Sequence, residues 1–406
     1  MLRAYKTELD PNNAQRSQFV RYCGVARFVY NWALADRNAR HLMSLVTSEN
    51  EQRGRFNAIK DTQFPWIREV AYKVEESAFA NCDLAFKNFF RRVKAKESKV
   101  GLPKFKSKKH GLGNFTLRAR IIRIESRRIK LPVLGWIRLK ESNYLPTDGV
   151  KILSATVSER ARHWFVSLQV EEPDKPATSK CVGVIGVDVG IKSLASCSDG
   201  KVFENPKSLR RYEDRLAHIQ RELCRRVKGS KNRGKTKAKV ARLHYRIANI
   251  RSHALHEVTS YLTAKAKPQT IVIEDLNVMG MLQNRHLSKA IADASWRELR
   301  RQLEYKCAWR GIDLAVADRF YPSSKKCSEC ASVKPLLRLS ERTFVCESCG
   351  AIIDRDLNAA RNLAALVEPR NGRGLPVEGR LETPMKQEPS SDGTLHNSRR
   401  IGIGLP

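Results

Sequence analysis

The sequence predicts a multidomain chain, α+β in its first half and α/β in its second, on three observations. Residues 114–170 break into short runs with period-two alternation, the pattern of half-buried antiparallel strands. Residues 183–317 instead carry short, continuous apolar runs separated by long helical patterns, as in buried strands alternating with helices. Two Cys-x2-Cys pairs, Cys327/Cys330 and Cys346/Cys349, interrupt the second half with fifteen residues between them.

Composition bounds what such a chain can do. With 406 residues, 41% of them hydrophobic, it can bury a sizeable core, enough for two to four domains. No apolar run approaches the length of a membrane span. The first ten residues, MLRAYKTELD, hold no apolar signal region, so a cytoplasmic, nucleoid-associated location in a bacterium or archaeon is expected. The formal net charge is +34. A charge of that size repels itself in a compact state unless a polyanion neutralises it, which makes nucleic acid the expected partner. An anionic membrane surface is the alternative, but no amphipathic anchor with Trp or Phe on one face is present.

Taken in order, residues 1–10 alternate, with Tyr5, Thr7 and Leu9 on one face, until Asp10-Pro11-Asn12 stops the strand. Phe19, Tyr22, Cys23, Ala26, Val29, Tyr30 and Ala33 then follow helical spacing, and a second helix covers about Val74–Val93. Residues 91–110 carry nine Lys/Arg against one Glu, and Pro103 with its glycine neighbours keeps the end of that run out of a helix. Five short strands follow (FTLRARIIRIE, RRIKLP, GWIRLK, KILSATVSER, HWFVSLQVEE). They predict a small antiparallel β-barrel or sandwich that the first strand completes, with residues 13–112 as a helical insertion. Glu171–Lys180 reads as a linker.

The second half opens on a buried strand ending at Asp188, where Gly186 and Gly190 let backbone approach closely. A hairpin turning at Asp199-Gly200 follows. Two basic helices come next; residues 207–242 hold fourteen Lys/Arg against three acids. Leu243, Ile247, Ile250, Ala254, Val258, Tyr261 and Leu262 form the apolar stripe of the second. Like charges crowded on one helix face destabilise each other, so this surface is expected to meet phosphates. The expected contacts are Arg210, Arg211, Arg225, Arg226, Lys228, Lys231, Arg233 and Lys235, with Lys104 and Lys106 from the earlier basic run. Then come the strand Thr270–Glu274, a helix Ser288–Gly311, a strand Leu314–Ala317, the cysteine pairs and a helix Leu357–Leu366. Residues 368–406, rich in Pro, Gly and polar residues without periodicity, read as a disordered tail.

Each cysteine pair can set two thiolates on one knuckle, and two knuckles close a tetrahedron around Zn²⁺. Two disulfides are the competing account, which an intracellular location disfavours. The six other cysteines are scattered and read mostly as small core residues. Three acids stand out by position: Asp188 and Glu274 at the ends of apolar strands, and Asp356 at a helix start. Carboxylates on such a rigid, desolvated frame repel one another, and Mg²⁺ or Mn²⁺ relieves that with hard-oxygen coordination. Two such ions about 3.5–4 Å apart are the arrangement that hydrolyses phosphodiesters.

GVDVGIK, IVIED, the cysteine pairs and DRDLNAARN together resemble the RuvC-type, RNase H-like nuclease of TnpB (OrfB) proteins of insertion sequences, which are similar to type V CRISPR effectors. GVARFVYNWAL, FKNFFRRVK, GLPKFK, LPVLGW, WRELRRQLEYKCAWRG and SSKKCSEC extend the resemblance over nearly all of residues 1–366. It implies a wedge-like β-barrel (1–12 and 113–173), a helical recognition insertion (13–112), a RuvC-like domain (181–321 and 351–367) and an inserted zinc ribbon (322–350). It also implies RNA-guided cleavage of double-stranded DNA, with a guide RNA derived from the element's own end. The catalytic acids carried over are Asp188, Glu274 and Asp356, with Asp354 supporting them or serving as the third ligand itself. Asp275, beside Glu274, points the other way along the strand. Ala331 stands where a glycine is more usual, so a less permissive backbone is expected there. Other classes compete: a cleavage-dead RNA-guided repressor, which is expected to lose acids that are retained here; a transposase proper, which needs a nucleophilic Tyr in a metal setting; and a non-catalytic zinc-ribbon binder, which leaves the acids unexplained.

Overall fold

The computed structural model describes residues 1–43, 45, 47–98, 100–118, 122–173, 183–338 and 340–367, and residues 1–367 form one compact unit. Most of the expected linker and all of the expected tail lie outside the described residues. Among the described residues no helix is long and apolar enough to cross a membrane.

The first half is a seven-stranded antiparallel sheet with a helical layer against it. Strand β1 (Leu2–Asp10) sits in the middle, paired along its length with β7 (His163–Glu171) and at its end with β5 (Gly135–Leu139). The full order is β2-β6-β7-β1-β5-β4-β3, where β2 is Asn114–Leu117, β3 Arg123–Glu125, β4 Arg128–Leu131 and β6 Lys151–Arg160. This corrects two expectations. The sheet is open among the described residues, with β2 and β3 at its two edges, not closed as a barrel. And the single strand expected from FTLRARIIRIE is two strands, one at each edge of the sheet.

Helix α1 (Asn13–Leu42) begins with a capping box between Asn12 and Gln15 and buries Phe19, Tyr22, Val29 and Ala33. A helix that the sequence did not announce, α2 (Glu49–Gln63), buries only Gln52 and Phe56, too few for a visible stripe; its capping box joins Ser48 and Glu51. Helix α3 (Tyr72–Lys94) covers the predicted second helix. The three pack through Trp32, Phe56, Phe64 and Phe79, and Phe19 and Tyr22 reach Phe115 of β2, so sheet and helices share one core.

The second half is a five-stranded mixed sheet in the order β10-β9-β8-β11-β12. Strands β8 (Val184–Asp188), β11 (Thr270–Glu274) and β12 (Asp313–Ala317) are parallel. Strands β9 (Ser193–Cys197) and β10 (Val202–Glu204) form the antiparallel hairpin that turns at Asp199-Gly200. Helices α4 (Ser208–Arg225) and α5 (Lys231–Ser260) follow, packed on each other through Tyr212, Leu216, Leu243 and Ile247. After the short α6 (Val278–Met281), the single helix expected from Ser288 is two, α7 (Ser288–Ala294) and α8 (Trp296–Arg310). Ser295 breaks them by taking left-handed backbone, φ +55°. Last come β13 (Thr343–Val345), β14 (Ile352–Asp354) and α9 (Arg355–Ala364).

Candidate active site

Strands β8 and β11 lie side by side in parallel register, Val187 opposite Ile273. Asp188 and Glu274, the next residue on each, therefore leave the sheet at the same level. The third acid arrives from the far end of the chain. Helix α9 packs directly on β8, and Gly186 is what permits it: a Cβ there would stand 2.0 Å from the carbonyl oxygen of Ala360 and 2.5 Å from the amide nitrogen of Ala364. Only a residue without a side chain lets helix and strand backbones meet so closely. At Gly190 an added Cβ would meet the Ser193 carbonyl at 3.1 Å, a milder constraint.

Each acid has a distinct environment. Burial pushes Asp188 up to about 8, the negative charges of Glu274, Asp356 and Asp354 push the same way, and the nearby Arg355 guanidinium opposes them. Glu274 accepts a 2.5 Å hydrogen bond from the Ser323 hydroxyl, which fixes its rotamer. Asp354 is the N-cap of α9, its Oδ1 accepting from the amides of Asp356 (3.0 Å) and Leu357 (3.1 Å). Asp356 follows in the first turn, touching Arg355 at 3.4 Å. Asp275 turns away, as strand alternation requires, and pairs with Arg300 and Arg319 at 3.1 and 2.6 Å. Ser323 and Arg355 are the two participants that the sequence alone did not single out; both act by tertiary contact.

The four knuckle sulfurs lie within 4.8 Å of one another. Cys327 and Cys349 stand 3.8 Å apart, and Cys330 and Cys346 3.5 Å. Four thiolates on a tetrahedral ion at about 2.3 Å would be separated by nearly that much, and all four are free of disulfides. Both knuckles turn the same way: Ala331 N–H donates to the Cys327 carbonyl and Gly350 N–H to that of Cys346, each at 3.0 Å. Gly350 takes φ +74° and Ala331 φ +63°, the left-handed backbone expected at the position without glycine. Beyond the sulfurs, the ribbon core is little more than Phe344 with Leu337 and Ala351, so the donor set fits a structural zinc that the apolar contacts alone would not replace. Asn358 and Asn362 of α9 tie the ribbon down by donating to the Lys326 carbonyl at 2.7 and 2.6 Å; Asn362 also reaches the Ser323 carbonyl.

Of the basic residues, Arg210, Arg211, Arg225, Lys228, Lys231 and Lys235 are exposed on the α4–α5 hairpin, as is Lys104 in the earlier run. Arg226 is exposed but paired with Glu222 at 3.1 Å. Arg233 is half-buried and closes α4, donating to the carbonyls of Leu223 and Arg226. The Lys106 ammonium lies 3.9 Å from the centre of the Tyr30 ring.

A family described as "Probable transposase" matches residues 167–285, "Cas12f1-like, TNB domain" matches 296–363 and "Helix-turn-helix domain" matches 1–42. The last of these stretches folds here as a strand and one unbroken helix, with no turn between two helices inside the match. A protein of Streptomyces pristinaespiralis named "Putative RNA-guided DNA endonuclease" is 39% identical over 367 residues, 89% of each chain. Another from Escherichia coli K12, "Putative RNA-guided DNA endonuclease InsQ", is 34% identical over 96% of this chain and 98% of its own. Among solved structures, that titled "Structure of the mini-RNA-guided endonuclease CRISPR-Cas_phi3" covers 90% of this chain and 92% of its own at 9% identity, with a TM-score of 0.48, too loose a superposition to bear on the site. On its identity to relatives along almost their whole length, the chain belongs to the TnpB (OrfB) family of insertion-sequence proteins.

Proposed function

We propose that the chain is an RNA-guided, divalent-metal-dependent endonuclease that cuts double-stranded DNA, working with a transposable element whose end supplies the guide RNA. The observation that carries the chemistry is the meeting of Asp188, Glu274 and Asp356 at the ends of two parallel strands and the start of the helix laid across them. The sheet order, an antiparallel hairpin followed by two parallel strands on the other side of β8, supports an RNase H-like, RuvC-type reading. Relatives named for RNA-guided DNA cleavage support the substrate. Residues 1–12 with 113–173 would form the wedge, 13–112 the recognition insertion, 181–321 with 351–367 the nuclease, and 322–350 the zinc ribbon.

The three carboxylates would offer hard oxygens to Mg²⁺ or Mn²⁺. Bound there, the ions would activate water and steady the leaving 3′-oxygen. The protein's own part is positional. Ser323 holds Glu274, Asp354 fixes the start of α9 and so the place of Asp356, and Gly186 sets the depth of the helix on β8. Zinc in the ribbon would be structural. The exposed cations of the α4–α5 hairpin would grip phosphates without reading sequence, which base pairing with the guide would do.

The test is cleavage of a plasmid matched to the co-purified RNA, with Mg²⁺ supplied or omitted. Asp188→Ala and Glu274→Ala should abolish cutting while leaving RNA and target binding near wild type, since each removes negative charge from a polyanion binder. Cutting that persists in either variant overturns the site; cutting that ignores the RNA sequence overturns the guide. Wild type that binds RNA and target but never cuts with any divalent ion would be a binder instead.

A further inference from the structure

Helix α8 buries Trp296, Leu299, Leu303 and Cys307, and the same spacing turns Gln302 and Lys306 inward with them. Gln302 finds partners there: its amide donates to Glu298 at 3.1 Å, and its carbonyl oxygen stands 3.1 Å from the Thr259 hydroxyl. Lys306 is different. It is 8% exposed, yet its ammonium donates to two hydroxyls of α5, Thr259 at 2.6 Å and Ser260 at 3.2 Å, and a third N–H is left over. Among the described residues no carboxylate pairs with it, and the charge that acts on it is another cation, Arg310, one turn along the helix. Burial pulls the ammonium down to about 8, and Arg310 pushes the same way. A buried charge without a counter-charge is costly, and an apolar side chain of similar length would fill the place at less cost.

Lys306 lines a cleft of about 740 Å³ where the two halves of the molecule meet, with β1 on one side and α5 and α8 on the other. The charges on its walls do not cancel. The cations are Arg3, Lys6, Arg160, Lys306 and Arg310, and the acids are Glu8 and Glu141. Glu8 is engaged with His163 at 2.9 Å, and Glu141 accepts from the Thr7 hydroxyl at 2.6 Å. Arg3 is offset by Glu172, just outside the walls, at 3.1 Å. With Glu172 included, five cations still face three acids. Arg310 itself donates to the Thr263 hydroxyl and, among the described residues, to no carboxylate. Aromatic side chains and the polar groups of Asn249 and Ser252 complete the lining, while Asp188, Glu274 and Asp356 take no part in it.

A surplus of cations, one of them buried, calls for an anion, and the rings and hydrogen-bonding groups around it call for a planar, hydroxyl-bearing one. The volume is that of a pocket for a nucleotide, well beyond a lone phosphate ion. Unpaired RNA is recognised through such contacts to base, ribose and phosphate. The absence of the three candidate metal ligands from the walls means that a strand lying here is held and not cut. We propose that this cleft takes one unpaired nucleotide of the guide RNA, its phosphate on Lys306 and Arg310, so that the RNA joins the two halves across their crease. The phosphate supplies the counter-charge that the protein alone withholds from Lys306. This deepens the RNA-guided reading and rests on it.

Two arms test it with the full-length protein stripped of nucleic acid. In the first, filter binding at fixed salt measures affinity for a synthetic copy of the co-purified RNA. Lys306→Met should bind about tenfold or more weakly, on the scale of one charge-assisted hydrogen bond. Uncharged methylphosphonate linkages are then stepped through the RNA. At one linkage wild type should fall to the affinity of Lys306→Met, and the variant should lose nothing more. Equal losses at every linkage in both proteins would make the effect diffuse charge and overturn the proposal. Melting without RNA controls for folding: Lys306→Met should melt at or above wild type, because a buried uncompensated cation has gone. A lower melting temperature with unchanged RNA affinity makes Lys306 a structural tie and overturns the proposal. The second arm needs neither guide nor cutting, and compares a ten-residue oligouridylate with uridine 5′-monophosphate. Oligouridylate binding weakened by Lys306→Met supports the phosphate site even if plasmid cleavage is never seen. Mononucleotide binding that depends on Lys306, with no special linkage in the RNA, assigns the cleft to a free nucleotide and rejects RNA as its occupant.

Discussion

Replacing Asp188 by Asn should stabilise the magnesium-free protein, in step with pH. In the folded chain Asp188 is pushed up to about 8, against 3.8 ordinarily. Near neutral pH folding must therefore protonate a carboxyl that is ionised in the unfolded chain. Such a group favours the fold fully only below its unfolded pKa, and the advantage drains away as pH rises to the folded value. At about 1.4 kcal/mol per pH unit, the penalty at pH 7 reaches about 4 kcal/mol. Asparagine has no proton to take up. The stability gap between Asp188→Asn and wild type should open from near zero at about pH 4, widen by about 1.4 kcal/mol per pH unit, and level off above about pH 8. Added Mg²⁺ should narrow it by rewarding the ionised form in wild type alone. Thermal melting from pH 5 to 9 measures this, with magnesium omitted and not chelated so that the cysteine site keeps its metal. A gap that does not change with pH, or a wild type at pH 8.5 as stable as the variant without magnesium, would refute the reasoning.

Three other outcomes are expected. Gly186→Ala should displace α9 and abolish cutting, lower stability by the cost of an overpacked contact, about 1–3 kcal/mol or more, and leave RNA binding intact; cleavage and filter binding measured side by side decide it, and Gly190→Ala should be milder. Cys346→Ser should lose the ribbon's zinc, expose residues 327–350 to protease and, because Asn358 and Asn362 hold the ribbon to α9, reduce cutting too; metal analysis showing no zinc in wild type contradicts this. Nucleic-acid affinity should fall roughly thousandfold between 50 and 200 mM salt if about six phosphates are neutralised, and a flat salt titration would remove the exposed cations of α4 and α5 from the interface.

What could be read in the sequence was local. Cysteine spacing defined the ribbon, and apolar runs ending in an acid located Asp188 and Glu274, because a buried parallel strand cannot hide a carboxylate except at its end. The missing glycine after Cys330 foretold the strained backbone at Ala331. What stayed illegible was pairing at a distance. Alternation tells which face of a strand is buried but not which strand lies beside it, so the central place of β1 and the split of β2 from β3 could not be seen. Helix α2 hides because Gln52, one of its two buried residues, is polar, its amide nitrogen donating to the Ala33 carbonyl and Asp36. The break at Ser295 has no glycine or proline to mark it. Arg233 shows the limit of counting charges: it sits within a basic run, yet its guanidinium is committed to two backbone carbonyls.

The dependence of the site on α9 also orders events during synthesis. Asp188 and Glu274 are translated with the sheet, and the basic helices between them emerge before any of the ribbon. Asp356 comes some eighty residues after Glu274, and it can take its place only once the helix behind it has been made and laid against Gly186. On the proposed reading, a nascent or prematurely ended chain would carry the exposed cations of α4 and α5 while lacking Asp356, and would be unable to cut the DNA it met. The capacity to cut would then arrive only with α9, long after the basic helices.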